Sequence, residues 1–398
     1  MTTSRRFFLA AFGDPGHAFP MIALGAGLVA RGHKVRVETW ERWRPQVHGQ
    51  GMGFVPAPEY PVFATAYQAA EPYKAAADAA QVTRQAISDW RPDACVCDIL
   101  TLAASFAAEL ESVPWSTLVP HVLPLTQPGL PPYPLGGRPA RTPVGRSVWR
   151  AAGRLAHGAL ELGRRQNNEA RAALGLPPLP YHQTGLSRTL TLVATLPQLE
   201  YPRRWPEWTR LVGPLLWEPP GAPEIKPSAK RPVVLVAPST AQDREGHLLR
   251  CALAGLAREE VDVIAVGDPA LVPAETLPAN AKLVSWLSYA RTMPHCDVVV
   301  THAGHGTLAR ALVSGCPVVA CPAGGDMAEN AARAEWAGLG VRVPSRLLGP
   351  RTLRVAVRRV LADQAMRRRC ASVAAWAGTH DAAGAAAREL EELLRRSG

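Results

Sequence analysis

The stretch Val298-Val-Val-Thr-His-Ala-Gly-His-Gly-Thr-Leu308 decides how this chain is read. An apolar strand empties into a glycine turn, and a helical pattern starts close behind it, near Leu308. That order leaves backbone N–H groups unpaired at the positive end of a helix, a place suited to a phosphate or diphosphate. Gly304 and Gly306 permit close backbone approach, Thr307 offers a hydroxyl, and His302 adds a polar or cationic side chain. The same strand–glycine–helix pattern also serves tight packing alone, so its meaning depends on the rest of the chain.

Working outward, the strand at 298–301 is one of a series. Strands are expected at 233–237, 261–266, 282–284 and 317–321, with helical patterns at 245–259, 309–314 and 328–337 and helices from there to the end. Upstream lies Gly213-Pro-Leu-Leu-Trp-Glu-Pro-Pro-Gly-Ala-Pro-Glu-Ile-Lys-Pro227, a proline-spaced segment that should be extended and semi-rigid. Before it the alternation recurs. Strands at 7–12, 34–39, 94–98 and 115–119 accompany a helix at 20–30, entered through Pro20 and ended at Gly32, an Ala-rich helical stretch at 68–90, and a helix at 101–111. Residues 121–147, rich in Pro and Gly, break this rhythm, and helical pattern resumes at 147–174. Alternating strands and helices imply parallel β-α-β units, hence an α/β protein of two doubly wound domains. The expected divisions are 1–212, a linker at 213–231, and 232–380. Ligands of such sheets bind outside the carboxyl ends of strands, in the cleft.

Composition narrows the class. The 398 residues provide room for two cores, and a 47% hydrophobic content excludes a disordered chain. No apolar run approaches the ~20 residues that span a bilayer. The start, with Arg5-Arg6 before Phe7-Phe-Leu-Ala-Ala-Phe12, passes straight into Gly13-Asp-Pro-Gly16 and reads as a buried strand rather than a signal peptide. Seven scattered cysteines without metal spacing point to buried thiols in a reducing cytoplasm. The net charge of +11 is compatible with peripheral contact with an anionic membrane, or with solvated Arg-rich helices such as 351–369. No nucleic-acid-binding signature accompanies it.

Several residues can carry chemistry. His17, in Gly16-His-Ala-Phe-Pro20, lies at the carboxyl end of the first strand, and imidazole suits a general base near neutral pH. Asp98 ends the strand Ala94-Cys-Val-Cys-Asp98; it either caps the next helix, a role for which Thr101 competes, or fixes the tautomer of His17. In the second half, Ser239 and Thr240 follow a strand and can donate hydroxyls to a phosphate. Trp286 can stack on a flat base or belong to the core. Asp326 either accepts from sugar hydroxyls or forms a capping box with Glu329.

Gly16-His17-x-x-Pro20 with Leu28-x-x-Arg31-Gly-His33 resembles the N-terminal signature of family 1 nucleotide-sugar glycosyltransferases. The run Trp286…Asp297…His302-Ala-Gly-x-Gly-Thr307…Gly315-Cys-Pro317…Pro322…Asp326…Asn330…Gly338-x-Gly340 is similar to their donor motif. The similarity spans the chain and is greatest to bacterial enzymes that glycosylate natural products. It implies the GT-B fold, two Rossmann-like domains facing a cleft, with a last helix at 381–398 crossing back onto the first domain. It further implies an inverting, metal-independent transfer from a dTDP- or UDP-linked sugar to a hydroxyl of a small lipophilic acceptor. His17 would be the base and Asp98 its orienting partner. Ser239, Thr240, His302, Gly304, Gly306 and Thr307 would hold the diphosphate, Trp286 and Leu287 the base, and Asp326 the sugar. No cofactor beyond the donor co-substrate and no metal is implied, and the partner is the acceptor, with the protein a monomer or homodimer. Residues 121–147 and the aromatics near Trp149 would wall the acceptor pocket.

Three positions depart from the family pattern. Trp286-Leu-Ser-Tyr289 replaces Trp-x-Pro-Gln, Met327 replaces the glutamine of Asp-Gln, and Arg310 replaces a ribose-binding glutamate. The last two lean toward a dTDP-linked, deoxygenated sugar. A membrane-lipid acceptor, a non-catalytic nucleotide-sugar-binding auxiliary protein and a nucleotide-sugar epimerase are the alternatives that fit the same fold.

Overall fold

A computed structural model of the chain describes residues 3–59, 71–227, 230–239, 243 and 245–397. Seven strands, β1 (Arg6–Ala10), β2 (Lys34–Thr39), β3 (Gly53–Pro56), β4 (Ala94–Asp98), β5 (Trp115–Val119), β6 (Thr191–Val193) and β7 (Thr209–Leu211), form one sheet in the order 3-2-1-4-5-6-7. Every pairing is parallel. The helices between them are α1 (Pro15–Ala30), α2 (Arg44–Gly49), α3 (Pro72–Trp90), α4 (Leu102–Leu110) and α5 (Pro143–Ala173). A second parallel sheet, in the order 10-9-8-11-12-13, holds β8 (Val233–Ala237), β9 (Asp262–Val266), β10 (Ala281–Val284), β11 (Val298–Thr301), β12 (Val318–Ala320) and β13 (Gly340–Arg342). With it run α6 (His247–Leu256), α7 (Tyr289–Thr292), α8 (His305–Val313), α9 (Met327–Trp336), α10 (Pro350–Ala362), α11 (Gln364–Gly378) and α12 (Ala382–Ser397).

The strands are apolar on both faces because helices cover both. In β1, Phe7 and Leu9 enter the cluster built with Leu24 and Leu28 of α1, while Phe8 and Ala10 join Ile87 of α3 and Ala104 and Ala107 of α4 on the other side. The last helix, α12, belongs to the first of these clusters through Ala386, Ala387, Leu390 and Leu393. Glu391 fixes it there, accepting from Arg31 Nε and Nη2 at 2.8 and 2.7 Å and bonding His33 Nε2 at 2.9 Å.

Three helices start well before the sequence expectation. α1 begins at Pro15 rather than Pro20, so Pro20 sits inside the helix and removes one backbone bond. α5 begins at Pro143, where the Thr142 hydroxyl accepts from Gly145 N at 3.1 Å. α8 begins at His305, not near Leu308, which makes Gly304 its N-cap and puts Gly306 and Thr307 inside its first turn. The strands β3, β6, β7 and β13 have three or four residues each and gave no separate pattern. Of the helical stretch expected at 68–90, residues 68–70 lie outside the described part and α3 covers 72–90.

Residues 121–142 are irregular, and they are firmly tied across the cleft. Gly136 N donates to Glu329 Oε2 at 3.0 Å and its carbonyl accepts from Arg342 at 2.7 Å. A Cβ at Gly136 would lie 2.6 Å from the Ala328 carbonyl, so only glycine lets this backbone approach α9 so closely. Behind it, Arg333 of α9 is buried and bonds Glu329 at 2.8 Å, Glu200 at 3.1 Å and the Leu199 carbonyl at 3.0 Å, with its guanidinium over the Tyr201 ring. Glu200 also accepts from Leu123 N at 2.6 Å. One cation of the second domain thus holds two segments of the first.

Removing one member of a buried ion cluster strands the others without partners, so Arg333→Met should destabilise the protein by about 3–5 kcal/mol. Arg358→Ala removes an exposed, solvent-screened pair with Glu259 and should leave stability nearly unchanged. Chemical denaturation of the two variants checks this; equal, small effects would contradict it.

Candidate active site

In both sheets the strand order reverses at one point, between β1 and β4 and between β8 and β11. Crevices open at such points. The first holds His17 and Asp98, and the second holds Ser239 and His302.

His17 lies in the first turn of α1, whose N-cap, Asp14, makes no side-chain capping bond. Its Nδ1 faces both oxygens of Asp98, at 3.0 and 2.8 Å. The Asp98 side chain is fully buried and also accepts from Leu100 N at 2.9 Å. It does not cap α4, and the Thr101 hydroxyl donates to the Asp98 and Ala10 carbonyls instead. A carboxylate can only accept, so Nδ1 carries the proton and Nε2 presents a lone pair. Burial acts to lower the imidazole pKa, but the charge and hydrogen bond of Asp98, helped by Asp326 and Asp14, outweigh it and raise the value. That Asp326, at the start of α9, is felt by His17 ties the two crevices together electrostatically.

In the second crevice the left-handed residue of the turn is Ala303, with φ +62°, rather than either glycine. Gly304 and Gly306 serve differently: a Cβ at either position would meet nothing within 4 Å, so both face open space. The first bond of α8 runs from Leu308 N to Gly304 O at 3.0 Å, which leaves the N–H groups of His305, Gly306 and Thr307 without intrahelical acceptors. His302 Nδ1 accepts from Ser239 N at 2.9 Å, so its proton sits on Nε2, 3.7 Å from Asp243 Oδ2. Burial pulls this imidazole's pKa down despite Asp243, keeping it a neutral donor. Thr240 lies outside the described residues.

Trp286 is half exposed on the rim, free to present a ring face, whereas Leu287 is 3% exposed and its side chain belongs to the core beside Met293 and Val299. Only the main chain of Leu287 is left to meet a ligand. Asp326 forms no capping box: its Oδ2 accepts from Asn330 Nδ2 at 3.0 Å, and Glu329 is turned toward Gly136 and Arg333. Three further residues crowd this point. His121 and Tyr133 stack at 5.8 Å on the first-domain side, and His305 begins α8 opposite them. His305 occupied the unassigned position of the glycine motif, and His121 opened an irregular segment, so neither carried a pattern that marks a site.

Among the described residues, no three of His, Cys, Asp or Glu converge to hold a metal ion, and no helix is long and apolar enough to cross a membrane. A basic hollow lined by Lys226, Lys230, Arg231, His295 and Arg367 lies at the amino ends of β8 and β11, the opposite edge of the sheet from the glycine turn.

Residues 251–393 match the family described as erythromycin biosynthesis protein CIII-like, C-terminal domain. The 4'-demethylrebeccamycin synthase of Lentzea aerocolonigenes is 29% identical over 91% of this chain and 93% of its own. The O-mycaminosyltylonolide 6-deoxyallosyltransferase of Streptomyces fradiae is 28% identical over 95% and 96%. The crystal structure of the glycotransferase of kitacinnamycin superposes with a TM-score of 0.81 at 20% identity, covering 99% of this chain and all of that one. The chain thus has the GT-B fold, and over nearly its whole length it is similar to glycosyltransferases of the family 1, natural-product type.

The His17 environment is open to a direct check. NMR titration should place the His17 pKa above 6.5 in the wild type and below 6.5 in Asp98→Asn, where burial acts with its main opponent removed. An unchanged value in the variant would show that Asp98 does not set it.

Proposed function

We propose that the chain catalyses an inverting, metal-independent transfer of a sugar from a nucleoside diphosphate, dTDP- or UDP-linked with dTDP favoured, to a hydroxyl of a small lipophilic natural product. The observation that carries this reading is the His17–Asp98 pair, built at one sheet's switch point, together with the unpaired helix N-terminus at the other's. His17 Nε2 takes the proton of the acceptor hydroxyl, and Asp98 stabilises the imidazolium that forms. The acceptor oxygen attacks the anomeric carbon from the face opposite the diphosphate. A new C–O bond forms as the bond to the diphosphate breaks, so configuration inverts.

The leaving diphosphate takes up the electron pair. The N–H groups of Gly306 and Thr307, the Thr307 hydroxyl, Ser239 and the Nε2–H of His302 meet that charge with donors already in place, which is the task a metal performs in other transferases, and Thr240 is assigned to the same group from its place in the sequence. Trp286 stacks on the nucleobase, and Asp326 accepts from a sugar hydroxyl. The preference for thymidine rests on Arg310, which stands where a ribose-binding carboxylate is expected; burial lowers its pKa and the charge of Glu218 in the linker opposes that. Residues 121–142, braced by Trp149 Nε1 on the Arg138 carbonyl at 2.9 Å, wall the acceptor side. Seven free cysteines, six of them buried, suit a reducing cytoplasm. The intact base and its carboxylate favour an enzyme over a non-catalytic binding protein.

His17→Ala should lower transfer by about 10²–10⁴-fold while leaving the affinity for the nucleoside diphosphate unchanged, measured by product formation and calorimetry. Undiminished turnover would overturn the assignment of the base.

A further inference from the structure

Nine large hydrophobic side chains stand strongly exposed among the described residues, and five of them, Leu135, Val144, Val148, Leu155 and Leu162, fall between positions 135 and 162. Four belong to α5, at spacings of four, seven and seven residues, which keeps them in one line on a helix. The line runs for about 27 Å, and Leu155 in its middle is 84% exposed. The other side of the helix, at Trp149, Leu160 and Asn167, is turned toward the protein and is half-buried or buried. Apolar residues scattered singly over a surface need no explanation, but a line of them along one helix marks a contact.

The charge around that line has one sign. Residues 112–160 contain no Asp or Glu and five arginines, Arg138, Arg141, Arg146, Arg150 and Arg154. The last three, four residues apart, form a second row on α5 beside the apolar one, and all three are exposed. None has a carboxylate partner among the described residues, and Arg150 donates to a neutral acceptor, the Ser147 hydroxyl, at 2.9 Å. The first acid beyond the row, Glu161, is already held by Arg164 and Arg165. In the Arg-rich helices α10 and α11, by contrast, Arg358 pairs with Glu259, Arg367 pairs with Asp297, and the strongly exposed large hydrophobics among the described residues reduce to Val355. A second copy of the chain would bring the same basic helix against the line, like charge on like. A single ridge of separate side chains also offers a folded partner little area for complementary packing. An anionic lipid surface suits both rows at once: apolar side chains enter the headgroup boundary, and the long arginines reach the phosphates.

We propose that α5 docks the protein on the surface of an anionic bilayer, with Val144, Val148, Leu155 and Leu162 in the headgroup boundary and Arg146, Arg150 and Arg154 on lipid phosphates. The helix follows directly on residues 121–142, and the Trp149 indole joins the two by donating to the Arg138 carbonyl. The docked face therefore adjoins the acceptor side of the cleft, and a lipophilic acceptor dissolved in the bilayer reaches the pocket by a short path. Docking is independent of the reaction; this route for the acceptor rests on the functional reading above.

Flotation of the full-length protein with phosphatidylcholine vesicles, with and without phosphatidylglycerol, tests this. The wild type should float with the anionic vesicles, stay behind with the neutral ones, and lose its binding as salt rises. Leu155→Gln/Leu162→Gln and Arg150→Gln/Arg154→Gln should each bind the anionic vesicles at least about tenfold more weakly, with an unchanged melting temperature because all four side chains are exposed. Arg358→Gln/Arg359→Gln, which removes the same charge from α10, should bind as the wild type does. A wild type that does not float, α5 variants that float undiminished, or an α10 variant weakened as much as they are would overturn the docking. So would a wild-type dimer that Leu155→Gln/Leu162→Gln dissolves without loss of flotation, since the line would then serve a second copy. Flotation needs no substrate, so a protein that floats as described but transfers no sugar would defeat the parent reading and the acceptor route, and leave the docking standing.

Discussion

Arg333 is the residue on which the arrangement of the two domains depends. It is a buried cation bonded to Glu329 on its own helix and to Glu200 and the Leu199 carbonyl of the other domain. Glu329 in turn holds Gly136, and Glu200 holds Leu123, so the irregular segment between β5 and α5 is anchored at two points to the same cluster. A buried ion cluster is weak as a source of net stability but strict about geometry, because every member needs all of its partners. Here that strictness fixes how far His17 stands from the glycine turn. The proposed bipartite site needs such a device, since its proposed base and leaving-group cradle lie in different domains.

Each crevice is also determined locally. The parallel sheets reverse strand order at β1/β4 and at β8/β11, and the turns at those strand ends carry the polar residues. Asp98 selects one tautomer of His17, and Ser239 N selects one tautomer of His302, in opposite senses. The first imidazole is left with a lone pair and a raised pKa, the second with a proton and a lowered one. In the proposed reaction the first receives a proton and the second meets negative charge. This asymmetry between two histidines summarises the division of labour between the domains.

Much of this was legible in the sequence, for identifiable reasons. The central strands are unbroken apolar runs, such as Val233–Ala237 and Phe7–Ala10, because helices cover both faces, and such runs are hard to mistake. Polar residues directly after them, His17, Asp98, Ser239 and His302, were recognisable by position alone. Short outer strands such as β6 and β7 were not, since three residues display no period. The starts of α1, α5 and α8, at Pro15, Pro143 and beside Gly306, were placed too late, because proline and glycine also punctuate loops. Leu287, expected beside a ligand, turned inward because its neighbour Trp286 takes the rim. The Arg333 cluster and the His305–His121 juxtaposition join residues far apart in the chain, and no local pattern announces such meetings.

The central claim is that one donor molecule touches both domains at once. A crystal structure of the protein with a bound nucleoside diphosphate sugar tests it most directly. The account predicts diphosphate oxygens on the N–H groups of Gly306 and Thr307 and on His302 Nε2, with the anomeric carbon facing His17. Diphosphate lodged instead in the basic hollow of Lys226, Lys230 and Arg231, or a sugar turned away from His17, would contradict it.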